Sequence, residues 1–423
     1  MKKILCFIIA IVSVLSLCAC AGRGDSALKG YERSENIPQY DYMSGEDTKP
    51  ENYDKYTAGS MDFAFALLRE TASLDESENT LVSPVSLATA LSLLSNGTSD
   101  STRKELRNAL AGGLDVEYIN SGNHYLSGRL TALNTEESKF TTANALWLND
   151  TFDVKSAFLQ TAVNYYDTDV QRTLFSEGDI VKKVNNWISD NTDGEITDMV
   201  DSVDVTSPMI LVNAVLLDDE WATPYPDESV SDGKFHGAKG DEVVPFMTST
   251  EQYMSTSYAQ GMSKGFKNLP LRFAALLPAE DMEINEFVQG LTGAKWQALL
   301  DSLESPSFCR ATLPEFELYA KNVLKSPLEA MGVKKIFDAE KADFSALSNT
   351  GKVSVSSVIQ DAFIKIGPKN VKAGAATVIG TDGASPVESD FPKIIFDRPF
   401  VFVIYDNESG IPVFTGVVNN IAK

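Results

Sequence analysis

Apolar positions along this chain recur with two different periods, and the two are interleaved rather than segregated. From Met61 to Thr71 they fall at helical spacing. Ser83-Pro84 opens a second helix that runs through Leu94, with the proline in the first turn, where its missing N–H costs nothing. Asn96-Gly97 closes that helix, and Ser101 to Leu110 begins another. Ile180 to Asn191 reads as an amphipathic helix around Trp187, and Lys321 to Met331 also reads as helical. Thr142 to Leu148 and Met209 to Leu217 are strand-like, and Phe273 to Leu277 is a buried strand ahead of Pro278. The C-terminal part is strand-rich, with runs at Val353 to Val358, Ala362 to Ile366, Phe400 to Tyr405 and Val413 to Val417. No internal repeat and no strict βαβ rhythm is present. The pattern predicts a single α+β domain over residues 58–423.

The first residues carry an address. Lys2 and Lys3 precede an apolar run from Ile4 to Leu17, too short for a stable membrane span, so residues 1–19 read as a secretory signal peptide. Leu17-Cys18-Ala19-Cys20 resembles a bacterial lipobox, with Cys20 as the lipidated residue. Acyl chains there would contribute about 0.8 kcal/mol per buried methylene to membrane anchoring. Residues 20–57 are polar and read as the lipidated cysteine plus a flexible tether, of which Arg23-Gly24-Asp25 is an ordinary part. The expected location is the bacterial cell envelope, lipid-anchored and outward-facing, extracellular or periplasmic. Cys6 and Cys18 leave with the signal. Cys309 then remains without a disulfide partner and reads as a small packing residue.

The 423 residues are 43% hydrophobic and 22% charged, with a formal net charge of -23. An anionic surface of that size repels phosphate backbones, so nucleic acid is not an expected partner. Only two histidines exist, His124 and His236, and neither stands in a metal-binding motif. One nucleophile-elbow match, Gly261-Met262-Ser263-Lys264-Gly265, lacks a buried strand before it and a histidine after it. No phosphate-cradling loop appears. The expectation is no enzyme, no metal and no cofactor.

Gly367 to Pro392 is long, small-residue-rich and placed between two strand runs, which singles it out as functional. Written as a strand, it would place Val371, Ala373, Ala375, Thr377, Ile379 and Thr381 on one uncharged face. Lys372, Gly374, Ala376, Val378, Gly380 and Asp382 fall on the other. No proline interrupts Val371 to Thr381, so every backbone N–H there is able to join a ladder.

Motifs across the domain resemble those of the serpins in family order. They include Asn79-Thr80-Leu81-Val82-Ser83-Pro84-Val85-Ser86, Asn144-Ala145-Leu146-Trp147, Val184-Asn185-Asn186-Trp187 and Leu211-Val212-Asn213-Ala214 with Glu220-Trp221. Leu313-Pro314-Glu315-Phe316, Ala342-Asp343-Phe344-Ser345, Asp397-Arg398-Pro399-Phe400 and Phe414-Thr415-Gly416-Val417 continue the series. The resemblance implies a serpin fold: three β-sheets, eight or nine helices and an exposed reactive-centre loop. It implies a monomeric suicide inhibitor of serine or cysteine proteases. The protease cleaves the loop and forms an acyl-enzyme, and the freed loop inserts as a strand before deacylation. The alternative is a non-inhibitory serpin-fold binding protein at the cell surface.

Residue by residue, Ser83, Ser86 and Asn213 resemble the shutter partners, with Gln360 where the family often has histidine, and Trp221 resembles the breach tryptophan. The hinge is Val371, Ala373, Gly374, Ala375, Ala376 and Thr377, although Pro368-Lys369-Asn370-Val371-Lys372 replaces the usual acidic run. Counting from the hinge puts the reactive bond at Ala384-Ser385; counting back from Pro399-Phe400 puts it at Glu388-Ser389. The small Ala384 implies an elastase-like or subtilisin-like target.

Overall fold

The structure, a computed structural model, describes residues 25–28, 31–40 and 49–421, except 136–137, 151, 167, 177, 193, 195–196, 198–199, 208, 305–306, 350–352 and 372–390. In chain order the first half runs β1 (Asp25–Ser26), α1 (Tyr53–Ala72), β2 (Thr80–Val82), α2 (Pro84–Asn96), α3 (Asp100–Ala111), α4 (Val116–Thr131), β3 (Lys139–Asn149), α5 (Ser156–Tyr165), β4 (Asp169–Thr173), α6 (Ile180–Asn191) and β5 (Met209–Glu220). A strand-rich stretch follows, with β6 (Val230–Gly237), β7 (Gly240–Ser255), β8 (Ala259–Gly265), β9 (Leu271–Pro278), α7 (Ile284–Gly290), α8 (Gly293–Asp301), β10 (Phe308–Pro314) and β11 (Phe316–Val323). The chain closes with α9 (Lys325–Ala330), β12 (Val358–Ile366), β13 (Asn370–Val371), β14 (Lys393–Ile395), β15 (Phe400–Asp406) and β16 (Pro412–Val418).

These elements form the α+β architecture that the mixed periodicity predicts. One sheet has the order β1-β4-β3-β5-β12-β11, with β13 paired to β5. The other has the order β14-β10-β7-β8-β9-β15-β16-β2, with β6 paired to β7. The 16-residue β7 is long enough to pair with β6, β10 and β8 in turn, so two of the three expected sheets run into one ladder.

The helix α2 is buried nearly all round, its Ser86, Thr89, Ser92 and Ser95 included, because it lies between elements rather than on a surface. Its Leu87, Leu91 and Leu94 share a core with Met209 and Leu211 of β5. The strand β5 is covered on both faces. Its even positions Ile210, Val212 and Ala214 meet Val184, Trp187 and Ile188 of α6, while its odd positions face the α2 side.

Five sequence expectations change. Lys321 to Val323 end β11 rather than begin a helix, and only Lys325–Ala330 is helical. Val353 and Val355 are buried but stand outside any ladder; the strand starts at Val358. The helix α4 was not predicted. The stretch read as a tether is in part packed on the domain. There β1 pairs with β4, Ile37 is buried, His124 Nε2 bonds the Pro38 carbonyl at 3.1 Å, and Tyr40 meets Tyr125 edge-on at 5.0 Å. The first long helix also begins at Tyr53, ahead of the expected boundary at 58.

Candidate functional site

Two neighbouring strands of the first sheet are parted along half their length. β12 hydrogen-bonds β5 in parallel from Val358↔Leu211 to Ala362↔Val215 and no further. Beyond that point β5 stays bonded to β3, as far as Asp218↔Lys139. β12 likewise stays bonded to β11, as far as Ile366↔Phe316. The upper ends are therefore each held on their outer side and separate from each other. Into this opening comes β13, antiparallel to β5, with Asn370↔Glu220 and Val371↔Asp219.

Three hydrogen bonds fix the root of β13. Trp221 Nε1 donates to the Gly367 carbonyl at 2.8 Å, the Tyr225 N–H to Pro368 at 2.8 Å and the Trp221 N–H to Lys369 at 3.2 Å. Trp221 is fully buried and stacks on Phe266 at 5.0 Å. Behind it, Lys264 Nζ lies 4.3 Å from the Tyr225 ring centre and 5.6 Å from that of Trp221. Its charge is answered by Glu251 at 2.5 Å in a nearly solvent-free pair. A buried ammonium needs both a carboxylate and polarisable ring faces, and this site supplies each.

Below the opening, where β5 and β12 do pair, a side-chain network bridges the seam. Gln360 accepts from the Ser83 N–H at 2.8 Å and donates to the Ser83 carbonyl at 2.9 Å and to Asn213 Oδ1 at 2.8 Å. Asn213 in turn donates to Ser86 Oγ and to Asn144 Oδ1, each at 2.5 Å. Ser83 Oγ donates to the Val413 carbonyl at 2.8 Å. Ser83, Ser86, Asn213 and Gln360 have no exposed surface. A carboxamide makes all three bonds through one oxygen and one nitrogen, without a titrating ring.

On the other face of the same seam Asp361 is fully buried. Its Oδ2 accepts from Tyr319 OH at 2.9 Å, while Oδ1 has no hydrogen-bond partner among the described residues. Burial raises its carboxyl to about 6, against the lowering effects of Tyr319 and Lys321.

The structure thus brings Ser83, Ser86, Asn213 and Gln360 together on one side of the opening and Trp221 at its rim. Val371 lies in β13. Ala373, Gly374, Ala375, Ala376, Thr377, Ala384, Ser385, Glu388, Ser389 and Cys20 lie outside the described residues. Sequence reading gave no site role to Lys264, Glu251, Asn144 or Asp361, although Asn144 stands in one of the quoted motifs. Lys264 sat inside the nucleophile-elbow match, which is a stretch of β8. There Ser263 is buried and bonds Tyr405 OH at 2.7 Å. Cys309 is buried, and burial pushes its thiol up to about 12, as befits a packing residue. No group of residues suited to holding a metal ion occurs among the described residues.

Comparison with known proteins addresses the same region. Residues 58–421 match the family described as Serpin (serine protease inhibitor). An uncharacterized serpin-like protein of Thermococcus kodakarensis is 27% identical over 366 residues, covering 85% of this chain and 84% of its own. Alpha-1-antiproteinase of Rattus norvegicus is 28% identical over 386 residues, covering 89% and 91%. Among solved structures, the thermophilic serpin tengpin in its native state superposes with a TM-score of 0.83 at 30% identity, over 94% of this chain and all of that one.

Proposed function

The chain belongs to the serpin family, whose members are in general protease inhibitors rather than enzymes, and from that premise we propose that it is a suicide-substrate inhibitor of serine proteases. The observation that carries the reading is the parted seam with β13 already paired at its top. Extending the Val371↔Asp219 register downward sets Ala373 opposite Leu217, Ala375 opposite Val215, Thr377 opposite Asn213 and Ile379 opposite Leu211. Directly opposed residues of antiparallel strands share a face. The odd positions of β5 face the α2 core, where Asn213 meets Ser86, so the small and β-branched residues of the segment would enter that core. Lys372 would fall on the outer face, opposite Asp218. Cleavage in the segment frees it to fill the gap and to part β12 from β5 below it, while the protease is still acylated.

The reactive bond in this reading is Ala384-Ser385, and the target is elastase-like or subtilisin-like because the residue before the bond is small. The inhibitor is monomeric and is held outside a bacterial cell by lipid on Cys20, beyond a leader of residues 1–19. Mixing the purified protein with pancreatic elastase and with subtilisin tests the reading on denaturing gels. The expected result is a covalent band at the summed mass with at least one of them. Clean cleavage with no such band from either would sink the reading in favour of a non-inhibitory binding protein.

A further inference from the structure

Lys321 and Asp361 stand directly opposite each other in the antiparallel β11–β12 ladder, yet their side chains do not pair. Opposite charges in that position ordinarily attract across a ladder. Lys321 Nζ instead reaches Asp201 Oδ2 at 2.6 Å, beyond the C-terminal end of α6. Asp361 is left with one bond, from Tyr319 OH, and with Oδ1 buried and unpartnered among the described residues. The Asp201 side chain is 83% exposed, whereas Asp361 has no exposed surface. The segment that Lys321 holds lies over the seam. Val200 and Val203 share one apolar cluster with Trp187 of α6, Val212 and Ala214 of β5 and Ile359 of β12. Asn185 of α6 fixes Val200 through both its N–H and its carbonyl, at 2.8 and 2.9 Å. Residues 200–204 therefore form a strap from α6 across β5 and β12, and the Lys321–Asp201 bond ties its far side to β11.

We propose that Lys321 is a shared cation: it ties this strap across the seam while Asp361 is neutral, and it turns from Asp201 to Asp361 once that carboxyl is charged, so that rising pH unfastens the seam. The groups that decide the exchange are few. β11 presents Tyr319 and Lys321 to Asp361, the strap presents Asp201, and β5 presents Ala214, the ladder partner of Asp361. α6 meets the same face with Trp187 and Ile188. A solvent-exposed ion pair is worth little, whereas a buried carboxylate without a cation is strongly unfavourable. Charged Asp361 therefore outcompetes Asp201 for the ammonium that stands between them. Burial sets the exchange near pH 6, the value to which it raises the Asp361 carboxyl. A strand entering the sheet must part β12 from β5 beneath the strap, so under the inhibitory reading an unfastened seam admits it faster. The switch itself does not depend on that reading.

Amide exchange on the full chain, corrected for intrinsic rates and read by mass spectrometry at pH 5 and pH 7.5, tests this. Protection of β12 from Val358 to Ala362 and of residues 200–204 should fall on the order of tenfold between the two, following the charged fraction of a group that titrates near 6. Asp361→Asn should keep the protection seen at pH 5 in both buffers. Asp201→Asn should lose protection in residues 200–204 at pH 5 already, because the strap has no anchor. Equal protection of the parent at the two pH values, the same fall in Asp361→Asn, or an Asp201→Asn variant that matches the parent at pH 5 would each overturn the proposal. Each form is also mixed with subtilisin and run on denaturing gels. A seam that switches as described while no form gives a covalent band would keep the switch and refute inhibition alone.

Discussion

Asp361 shows how a single position in the seam couples protonation to stability. Its carboxyl is held at about 6 by burial, above the ordinary 3.8 of an exposed aspartate. The native state therefore keeps a proton between pH 4 and 6 that the unfolded chain releases. Native stability falls as pH rises through that window and stays lowered above it. A shift of this size corresponds to roughly 3 kcal/mol. Asp361→Asn removes the titration and preserves the shape. Melting curves at pH 8 should show the variant more stable by about 2–3 kcal/mol, with little difference at pH 4. A constant difference across both pH values would place the effect elsewhere, in the Tyr319 hydrogen bond. The neighbouring Gln360 is the contrast. Its role in the network was legible in the sequence, because an amide that both donates and accepts can stand where a histidine often does. Asp361 was not legible: nothing in Gln360-Asp361-Ala362 tells a reader that the middle carboxyl faces a dry interior.

Among the elements, those with one strong period were readable and those with a mixed surface were not. α6 has the bounds that its pattern predicts, because Ile180, Val184, Trp187 and Ile188 form a single buried stripe. α4 escaped because Asn120, Asn123 and His124 occupy its buried side and break any apolar stripe. Lys321 to Met331 misled because β11 lies at a sheet edge: Val323 is exposed there, and with Leu324 and Leu328 it reads as helical periodicity. The most informative short element is β13, since it fixes the register for everything after it. Continued, that register would set position 375 of an inserted strand opposite Val215 and the core. Ala375→Arg would bring a charge into that core, at a cost of several kcal/mol for an unpaired ion. The variant should be cut as fast as the parent yet yield almost no covalent complex, read as the ratio of complex to cleaved band. Complex formation equal to the parent would mean that the strand does not enter in this register.

At the scale of the molecule, the proposed inhibition requires that the chain with the 372–390 segment intact is not in the most stable arrangement open to it. β5 and β12 each keep an outer partner while leaving backbone groups at their upper ends facing a gap. A strand continuing from Val371 would satisfy both upper edges and bury Ala373, and once β12 parted from β5 below the gap it would also bury Ala375, Thr377 and Ile379 between them. What restrains it is the chain itself, tied at Val371 and again at β14, where Arg310 N–H bonds the Pro392 carbonyl at 2.8 Å. One cut between those ties removes the restraint without deleting a residue. The nicked protein should therefore melt at a higher temperature than the intact one under identical buffer and salt, and calorimetry on both forms reads this directly. Nicked Ala375→Arg should lack the gain, because its segment is barred from the core. A nicked parent that melts with the intact protein would show that the gap stays empty after cleavage, and an inhibitor that works by filling it would have no driving force.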